Sequence, residues 1–311
     1  MTVRVGIIGT GVMGADHAIT LRDLVPGVTV EAVSDVDPSR AASVGVRVVT
    51  DPLALIEDSD IDAVLIASSD ATHEQFVLAC LAAGKPALCE KPLAAEVAGC
   101  QRIVAAEADL GRRLLSVGFM RRYDPGYVAL KHTLDAGDLG APLLLHCVHR
   151  NVSAPDWFTS DMVITNSASH EIDTTRWLFG DEIAAVTVHE PRRSAALADP
   201  VLLVFETVSG VLVDAEVFVN ARYGYDVRCE LVGERGLASA SGPVTADWRD
   251  RFAEAYRLEL TDWVDGVRAG EARGASAWDG YVASAVARAG VAALGAGRIA
   301  VELPAKSALY K

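Results

Sequence analysis

Near its start the chain carries three glycines at the spacing of a dinucleotide-binding turn. Residues 9–14 read Gly-Thr-Gly-Val-Met-Gly, follow a β-branched run directly and open a helical pattern. Gly9 allows the tight turn, Gly11 lets the backbone approach a pyrophosphate, and Gly14 lets helix and strand pack closely. The first N–H groups of the helix would then face the phosphates. The predicted cofactor-binding residues of this segment are Gly9, Thr10, Gly11, Val12, Met13 and Gly14.

Asp35 ends the second β-branched run, about twenty residues past the glycines, where a carboxylate can accept hydrogen bonds from the adenosine ribose. Because the same charge would repel a 2′-phosphate, the sequence favours NAD over NADP. Arg40 follows shortly, and an arginine at this place can instead meet a 2′-phosphate. The competing interpretation is a glycine turn followed by a helix-capping acid, which would bind no nucleotide.

Lys91 lies within Glu90-Lys91-Pro92, at the predicted carboxyl end of a later strand. Ligands of open α/β sheets bind at that end, and a residue before proline is kept out of the helical region, so the ammonium can project into a cleft. Ser68 and His73 follow the preceding strand, near the expected place of the nicotinamide ribose. A solvated lysine and a plain capping segment at 68–73 are the competing interpretations.

Polar side chains recur at helical spacing in the second half, since Asn166, His170, Asp173 and Trp177 stand at i, i+4, i+7 and i+11. Such a stripe beside an apolar one is typical of a helix that packs on a sheet and lines a cleft with its other side. The competing interpretation has Asn166 as a helix cap and His170 as a solvated residue.

The elements that would position these residues follow two patterns. In the first 120 residues, β-branched runs alternate with helical patterns, which predicts a doubly wound parallel sheet with strands at 2–8, 28–34, 46–50, 61–67, 86–90 and 113–119. Later runs alternate in polarity and predict a mostly antiparallel sheet with strands at 143–150, 183–189, 201–208, 211–220 and 225–232. Helices at 167–179, 251–267 and 278–294 would cover one face of it, and a partner subunit the other. The predicted class is α/β, with a dinucleotide-binding domain at 1–120 and an α+β domain at 121–311.

Composition excludes several classes of function. The 311 residues include 28 Lys and Arg against 42 Asp and Glu, and the net charge of −14 disfavours binding to nucleic acid or to a membrane surface. The 5 cysteines are spread through apolar runs and predict free thiols in a reducing compartment. No apolar run is long enough for a membrane span and no secretory signal is visible, so we expect a cytoplasmic protein. No metal site is predicted, because His146 and His149 would point to opposite faces of a strand.

Taken together, residues 9–14, Glu90-Lys91-Pro92 and His170-Glu171-Ile172-Asp173 resemble the glucose-fructose oxidoreductase / inositol dehydrogenase / rhizopine catabolism family, over essentially the whole chain. Within that family, residues 118–127, 146–151 and 223–226 are most similar to inositol 2-dehydrogenases. The resemblance implies a Rossmann domain, a second domain whose large open-faced sheet is used in assembly, and a homo-oligomer, either tetramer or dimer.

The resemblance also implies roles for single residues. Lys91 matches the lysine beside the reacting carbon, and His170 matches the catalytic histidine. Positions that match the polyol pocket are Arg121, His149, Asn151, Asp173 and Tyr225, and Glu90 joins Lys91, Ser68 and His73 in the cofactor-binding set. One position departs from the pattern, because these enzymes carry an Asp where this chain has Asn166. An amide does not stabilise an imidazolium as a carboxylate does, so either Asn166 only orients His170 or another carboxylate such as Asp173 assists.

The resulting hypothesis is the NAD-dependent oxidation of a secondary ring hydroxyl of a cyclitol to a ketone. His170 would act as general base while Lys91 stabilises the developing alkoxide, so activity should rise with pH as His170 loses its proton. One alternative is an NAD(P)-dependent oxidoreductase of another sugar, aminocyclitol or keto-sugar. The alternative of another class is a non-catalytic protein that senses dinucleotides.

Overall fold

The first sheet consists of six parallel strands in the order β3-β2-β1-β4-β5-β6, in a computed structural model that describes residues 2–191 and 197–311. The strands are β1 Val3–Ile8, β2 Val28–Ser34, β3 Arg47–Val48, β4 Ala63–Ile66, β5 Ala87–Glu90 and β6 Leu115–Gly118. This order reverses beside β1, as in dinucleotide-binding sheets. The predicted doubly wound parallel sheet is confirmed.

Five helices connect these strands, and their ends follow from the capping residues. They are α1 Val12–Leu24, α2 Pro38–Ser43, α3 Pro52–Glu57, α4 Asp70–Ala82 and α5 Val97–Leu110. Asp51 accepts a hydrogen bond from the backbone N–H of Leu53, so the carboxylate caps α3 at its start while Pro52 takes the first helical position. Gly111 ends α5 in the left-handed region, at φ +66°.

The second sheet has seven strands in the order β12-β11-β7-β10-β9-β8-β13. The bounds are β7 Pro142–Arg150, β8 Ile183–His189, β9 Val201–Thr207, β10 Leu212–Phe218, β11 Asp226–Gly233, β12 Gly236–Ala240 and β13 Ile299–Ala300. All neighbours pair antiparallel except β7 and β10, which run parallel. The mostly antiparallel sheet is confirmed, and it gains β12 and β13, which the sequence did not reveal.

The further helices of the described residues are α6 Pro125–Asp135, α7 Ser160–Met162, α8 Ser169–Phe179, α9 Trp248–Ala269 and α10 Ala277–Ala293. A 3₁₀ turn at Met120–Tyr123 precedes α6, and a π-helical turn at Val163–Ser167 leads into α8. The helix predicted at 167–179 therefore begins two residues later, and Asn166 lies in the wider turn before it. Such π turns often occur at functional sites.

The described chain divides into two compact units. One contains the chain up to Phe119 together with Tyr256–Tyr281 and Ala305–Lys311, and the other contains Met120–Ala255 and Val282–Pro304. The division differs from a single boundary at residue 120 in these two returning segments. The expectation that the helix at 251–267 covers the second sheet is wrong from Tyr256 onward, because Leu260, Trp263 and Val264 belong to the apolar core of the first sheet. An amphipathic stripe specifies a buried face but not the sheet that buries it.

Candidate active site

The glycine turn has the geometry that its sequence predicts. Gly9 has a φ of +89°, and a Cβ there would lie 2.5 Å from the backbone of Ala67 and Ser68. A Cβ on Gly14 would lie 1.8 Å from the carbonyl oxygen of Gly9, so only glycine lets α1 pack this closely on the turn. At Gly11 the Cβ position is open, with no described atom within 4 Å beyond its chain neighbours and the backbone of its own helix. The open position is the one at which a pyrophosphate would approach the backbone.

Asp35 anchors the other side of this turn. Its Oδ2 accepts hydrogen bonds from the Thr10 backbone N–H at 2.6 Å and from the Thr10 hydroxyl at 3.1 Å, while Oδ1 accepts from the Asp37 N–H at 2.8 Å. A cavity of about 380 Å³ adjoins these groups. Its lining includes Gly9, Gly11, Asp35, Arg40, Ser68 and Phe76.

The arrangement fits an NAD molecule. Gly9 and Gly11, with the start of α1, offer an open cradle for the pyrophosphate, and Asp35 offers a carboxylate to the adenosine ribose. Among the described residues, no side chain caps α1 at Gly11, so its first N–H groups are available to an anion. Arg40 lines the same cavity and has Asp37 as an ion-pair partner at 3.5 Å.

The end of β5 is held by a buried histidine that the sequence pattern did not single out. His17 on α1 lies with its Nε2 2.7 Å from Oε1 of Glu90, and Oε2 of Glu90 accepts a hydrogen bond from the Lys91 backbone N–H at 3.2 Å. Burial by itself would raise the pKa of Glu90, but the hydrogen bond and charge of His17, helped by Lys91, hold it below its usual range. Glu90, predicted to bind cofactor, thus also fixes the backbone of Lys91.

His73 joins the loops that follow β4 and β5. It is 1% exposed, and its Nδ1 lies 2.7 Å from the Pro92 carbonyl oxygen while Nε2 lies 3.1 Å from the Ser68 carbonyl oxygen. The Ser68 hydroxyl in turn hydrogen-bonds the Thr72 hydroxyl at 2.8 Å. The two loops that carry Ser68 and Lys91 are therefore tied together by one imidazole ring.

In the second unit, Arg121, His149 and Glu171 form a buried cluster. Arg121 donates through its Nη1 to Oε1 of Glu171, and Nδ1 of His149 lies 3.2 Å both from Oε2 of Glu171 and from Nη2 of Arg121. All three are at most 4% exposed. Burial would raise the pKa of Glu171, but the charges of Arg121 and His149 lower it to about 2. Sequence reasoning missed Glu171, because it lies between two predicted site residues and carries no periodic signal of its own.

Asp173 is committed to a second buried ion pair. Its two carboxylate oxygens accept from Nε of Arg122 at 2.9 Å and from Nη2 at 2.6 Å, and the Asp173 side chain is 1% exposed. The sequence predicted Asp173 as a pocket residue and as a carboxylate that could assist His170, and the structure gives it Arg122 as a counter-ion.

His170, His149 and Tyr225 lie near one another. The ring of His149 is 6.3 Å from that of His170 and 6.0 Å from that of Tyr225, measured between centroids. Burial raises the pKa of the Tyr225 phenol to about 12, so the phenol stays protonated at neutral pH and can donate a hydrogen bond.

For two further predicted site residues, Asn151 and Asn166, the structure gives backbone contacts. Asn151 follows β7 directly, and its backbone N–H donates to the Phe218 carbonyl at 2.9 Å. The backbone carbonyl of Asn166 accepts from the Ser169 hydroxyl at 2.7 Å.

Other regions of the described chain contribute fewer features to a candidate functional site. A cavity of about 470 Å³ lies at the opposite, amino-terminal edge of the first sheet, beside Thr2, Pro86, Arg112 and Leu114, and no predicted site residue lines it. Within 2–191 and 197–311, no group of three or more His, Cys, Asp or Glu side chains is arranged to hold a metal ion. None of the helices in those ranges has the length and apolar character needed to cross a bilayer. All five cysteines are free and buried, as predicted.

Comparison with known families matches both parts of the chain. Residues 3–119 match the model of an oxidoreductase family with an NAD-binding Rossmann fold, and residues 127–239 match the GFO/IDH/MocA C-terminal domain. The chain therefore belongs to the GFO/IDH/MocA family of NAD-dependent oxidoreductases. The predicted family, the enzyme class and NAD as cofactor are confirmed.

Individual relatives match over full length. The chain is 56% identical to inositol 2-dehydrogenase 1 of Saccharopolyspora erythraea, over 100% of this chain and 99% of the relative. It is 47% identical to an inositol 2-dehydrogenase of Klebsiella pneumoniae, over 100% of both chains. Among solved structures, the myo-inositol dehydrogenase of Lactobacillus casei in complex with NAD(H) and myo-inositol superposes with a TM-score of 0.96, at 35% identity and 100% coverage of both chains.

Proposed function

We propose that this enzyme oxidises a secondary ring hydroxyl of a cyclitol of the inositol class to a ketone, with NAD as its cofactor. The observation that carries the proposal is the full-length likeness to inositol 2-dehydrogenases, including a structure that holds NAD(H) and myo-inositol. The polar cluster of the second unit supports it, because the hydroxyls of a polyol both donate and accept hydrogen bonds and so pair with polar side chains.

Roles in cofactor binding follow the geometry of the first unit. The segment Gly9–Gly14 would hold the pyrophosphate and Asp35 the adenosine ribose. Ser68 and His73 would shape the nicotinamide end, with Glu90 setting the backbone of Lys91. When bound, NAD supplies the hydride acceptor of the reaction.

Two side chains carry the remaining chemistry in this proposal. His170 acts as general base and takes the proton of the reacting hydroxyl, while the Lys91 ammonium stabilises the negative charge that develops on its oxygen. Asn166 orients His170 from the π-helical turn that precedes α8. Because the base must be neutral to accept a proton, turnover should rise with pH.

The polyol pocket is assigned to the second unit. His149, Asn151 and Tyr225 would meet substrate hydroxyls, and Arg121 and Asp173 would keep this region polar through their ion pairs with Glu171 and Arg122. Buried groups that require a hydroxyl partner discriminate strongly against substrates that lack it.

We further propose a cytoplasmic homo-oligomer, tetramer or dimer, assembled through the second sheet. Leu202 on β9 and Leu212 on the neighbouring β10 are 39% and 45% exposed, and His146 on β7 pairs with Asp214 on β10. A sheet face with exposed leucines and ion pairs suits a second copy of the same face. Light scattering of the purified protein would measure the subunit number.

The function is tested by following NADH formation at 340 nm with inositol isomers, aminocyclitols and hexoses, each with NAD and with NADP. We expect turnover with at least one inositol, and a loss of turnover by a factor of about 100 or more in Lys91→Ala and in His170→Ala. If Lys91 and His170 act in the same step, the variant that carries both substitutions loses little more turnover than either single variant.

Other outcomes would point elsewhere. Turnover only with another sugar or an aminocyclitol would transfer the proposal to that substrate class. NAD binding by calorimetry without turnover on any member of the panel would favour a dinucleotide sensor. Unchanged turnover in both single variants would remove Lys91 and His170 from the mechanism.

A further inference from the structure

Glu171 contacts two of the side chains assigned to the polyol pocket but is itself 0% exposed. Its Oε1 accepts from Arg121, and its Oε2 has His149 Nδ1 as a partner at 3.2 Å. On α8 it directly follows His170 and precedes the apolar Ile172. It can reach substrate only through the groups that it holds.

The contacts at Nδ1 of His149 cannot all be made in one protonation state. A guanidinium only donates, so the 3.2 Å contact with Nη2 of Arg121 requires a lone pair on Nδ1. A carboxylate only accepts, so the 3.2 Å contact with Oε2 of Glu171 requires a hydrogen on Nδ1. The choice decides whether the other ring nitrogen, Nε2, accepts or donates a hydrogen bond.

The surrounding partners settle the choice. Arg121 has a further acceptor in Oε1 of Glu171, to which it donates through Nη1, so its pairing does not depend on Nδ1 of His149. Within the described residues, His149 is the donor that the structure gives to Oε2 of Glu171, and a buried carboxylate oxygen without a donor is strongly unfavourable. The hydrogen on Nδ1 is therefore the lower-energy arrangement.

We propose, on the basis of the cyclitol oxidation assigned above, that Glu171 is a positioning residue that fixes the tautomer of His149. Glu171 holds the hydrogen on Nδ1 and leaves Nε2 as an acceptor, so His149 recognises a substrate hydroxyl that donates. Arg121 neutralises the carboxylate and keeps it ionised. Specificity for a donor at one ring position is thereby built into the second unit.

Deoxyfluoro inositols test this assignment, because fluorine in place of a hydroxyl removes the donor at one ring position. In the wild type we expect one position at which fluorine raises KM tenfold or more, with the KM for NAD unchanged. We call the ratio of the KM for the fluorinated inositol to the KM for the parent inositol the fluorine penalty. In Glu171→Gln the amide can donate to Nδ1 and move the hydrogen to Nε2. The KM for the parent inositol should then rise, and the fluorine penalty at that position should fall toward one.

The matched control is Asp124→Asn, which disrupts another buried ion pair of the same unit, that of Asp124 with Arg251 at 2.7 Å. It should lose stability but keep the wild-type fluorine penalty. A Glu171→Gln enzyme that keeps the wild-type KM values and fluorine penalty would overturn the proposal.

His149→Ala provides a second test that does not require Glu171→Gln to fold. The fluorine penalty at the identified position must disappear in His149→Ala; if it persists, or if no position shows one, Nε2 is not the acceptor. An enzyme with no turnover on any inositol would instead contradict the proposed function, which keeps the two failures distinct.

Discussion

His17 and Glu90 are joined by a 2.7 Å hydrogen bond although they stand 73 positions apart, one on the helix of the glycine turn and the other at the end of β5. Both are buried, at 1% and 6% exposure. Since Glu90 also accepts from the Lys91 N–H, the bond links the cofactor-binding helix to the proposed catalytic lysine.

Replacing His17 with alanine should lower kcat about tenfold by loosening the Lys91 backbone, a loss of roughly 1.4 kcal/mol in transition-state stabilisation. Without His17, burial would raise the pKa of Glu90, so its ionised form would destabilise the fold; the variant should be least stable relative to the wild type near neutral pH and should approach it as the solution is acidified. Steady-state kinetics and thermal melts from pH 4 to 8 measure both effects. His17→Gln should restore part of the lost turnover because its amide can donate to Glu90, and His132→Ala, at an exposed histidine of α6, should change neither.

Asp35→Asn should shift cofactor preference toward NADP. The amide keeps an acceptor for Thr10 but removes the charge that repels a 2′-phosphate, and Arg40 lines the same cavity. We expect the NADP/NAD ratio of kcat/KM to rise tenfold or more, measured with saturating substrate. Asp23→Asn, on the exposed side of the first unit, serves as the control; an unchanged ratio in Asp35→Asn would mean that Asp35 does not face the ribose.

Asn166→Asp should move the pH profile of kcat/KM to higher pH. A carboxylate near an imidazole favours the protonated form, so more base is needed to deprotonate His170. Profiles between pH 5 and 10 measure the midpoint, and Asn166→Ser should leave it in place. Coincident profiles for the Asp variant and the wild type would argue that residue 166 does not interact with His170.

The buried Glu171 should make the free energy of unfolding depend on pH. Its pKa of about 2, against an ordinary value of 4.5, means that its stabilisation is complete above about pH 5 and is lost as the pH falls toward 2. The difference is on the order of 3 kcal/mol. Urea unfolding of the wild type and Glu171→Gln should therefore differ most near neutral pH and converge as the pH falls toward 2; a constant difference across this range would contradict the assignment.

Tyr310→Phe should destabilise the first unit. The Tyr310 hydroxyl donates to Oε2 of the fully buried Glu107 at 2.8 Å, while Oε1 accepts from the backbone of Leu114 and Leu115 at the start of β6. Losing one hydrogen bond to a carboxylate should cost about 1.5 to 3 kcal/mol. Calorimetry would record the lower Tm, and an unaltered Tm would show that the other two bonds suffice.

Much of the fold was predictable because local signals dominate it. Strands such as β2 and β8 were predicted to the residue, since β-branched runs meet glycine, proline or a cap at each end. The segment 236–240, Gly-Leu-Ala-Ser-Ala, lacks β-branched residues and forms β12 only because β11 offers an edge to pair with. The sheet on which α9 packs was predicted wrongly for the same reason, because local sequence does not specify which distant element pairs with a segment.

For the candidate site, the sequence predicted which side chains take part but not how they pair. The ion pair of Arg121 with Glu171 spans 50 positions, and that of Arg122 with Asp173 spans 51. No periodicity connects residues so far apart, because the fold alone brings them together. A Glu between the proposed catalytic histidine and an apolar residue is the one hint that sequence offered for Glu171.

The position of β7 affects how the second unit is synthesised. β7 is the first strand of its sheet to be made, yet it lies between β10 and β11, which come later in the chain. At a translation rate of 5 to 20 residues per second, the roughly 70 residues to the end of β10 leave β7 without hydrogen-bonding neighbours for about 3 to 14 seconds. His146, His149 and Arg150 place polar and charged groups on this otherwise apolar strand, which discourages nascent chains on neighbouring ribosomes from pairing through it.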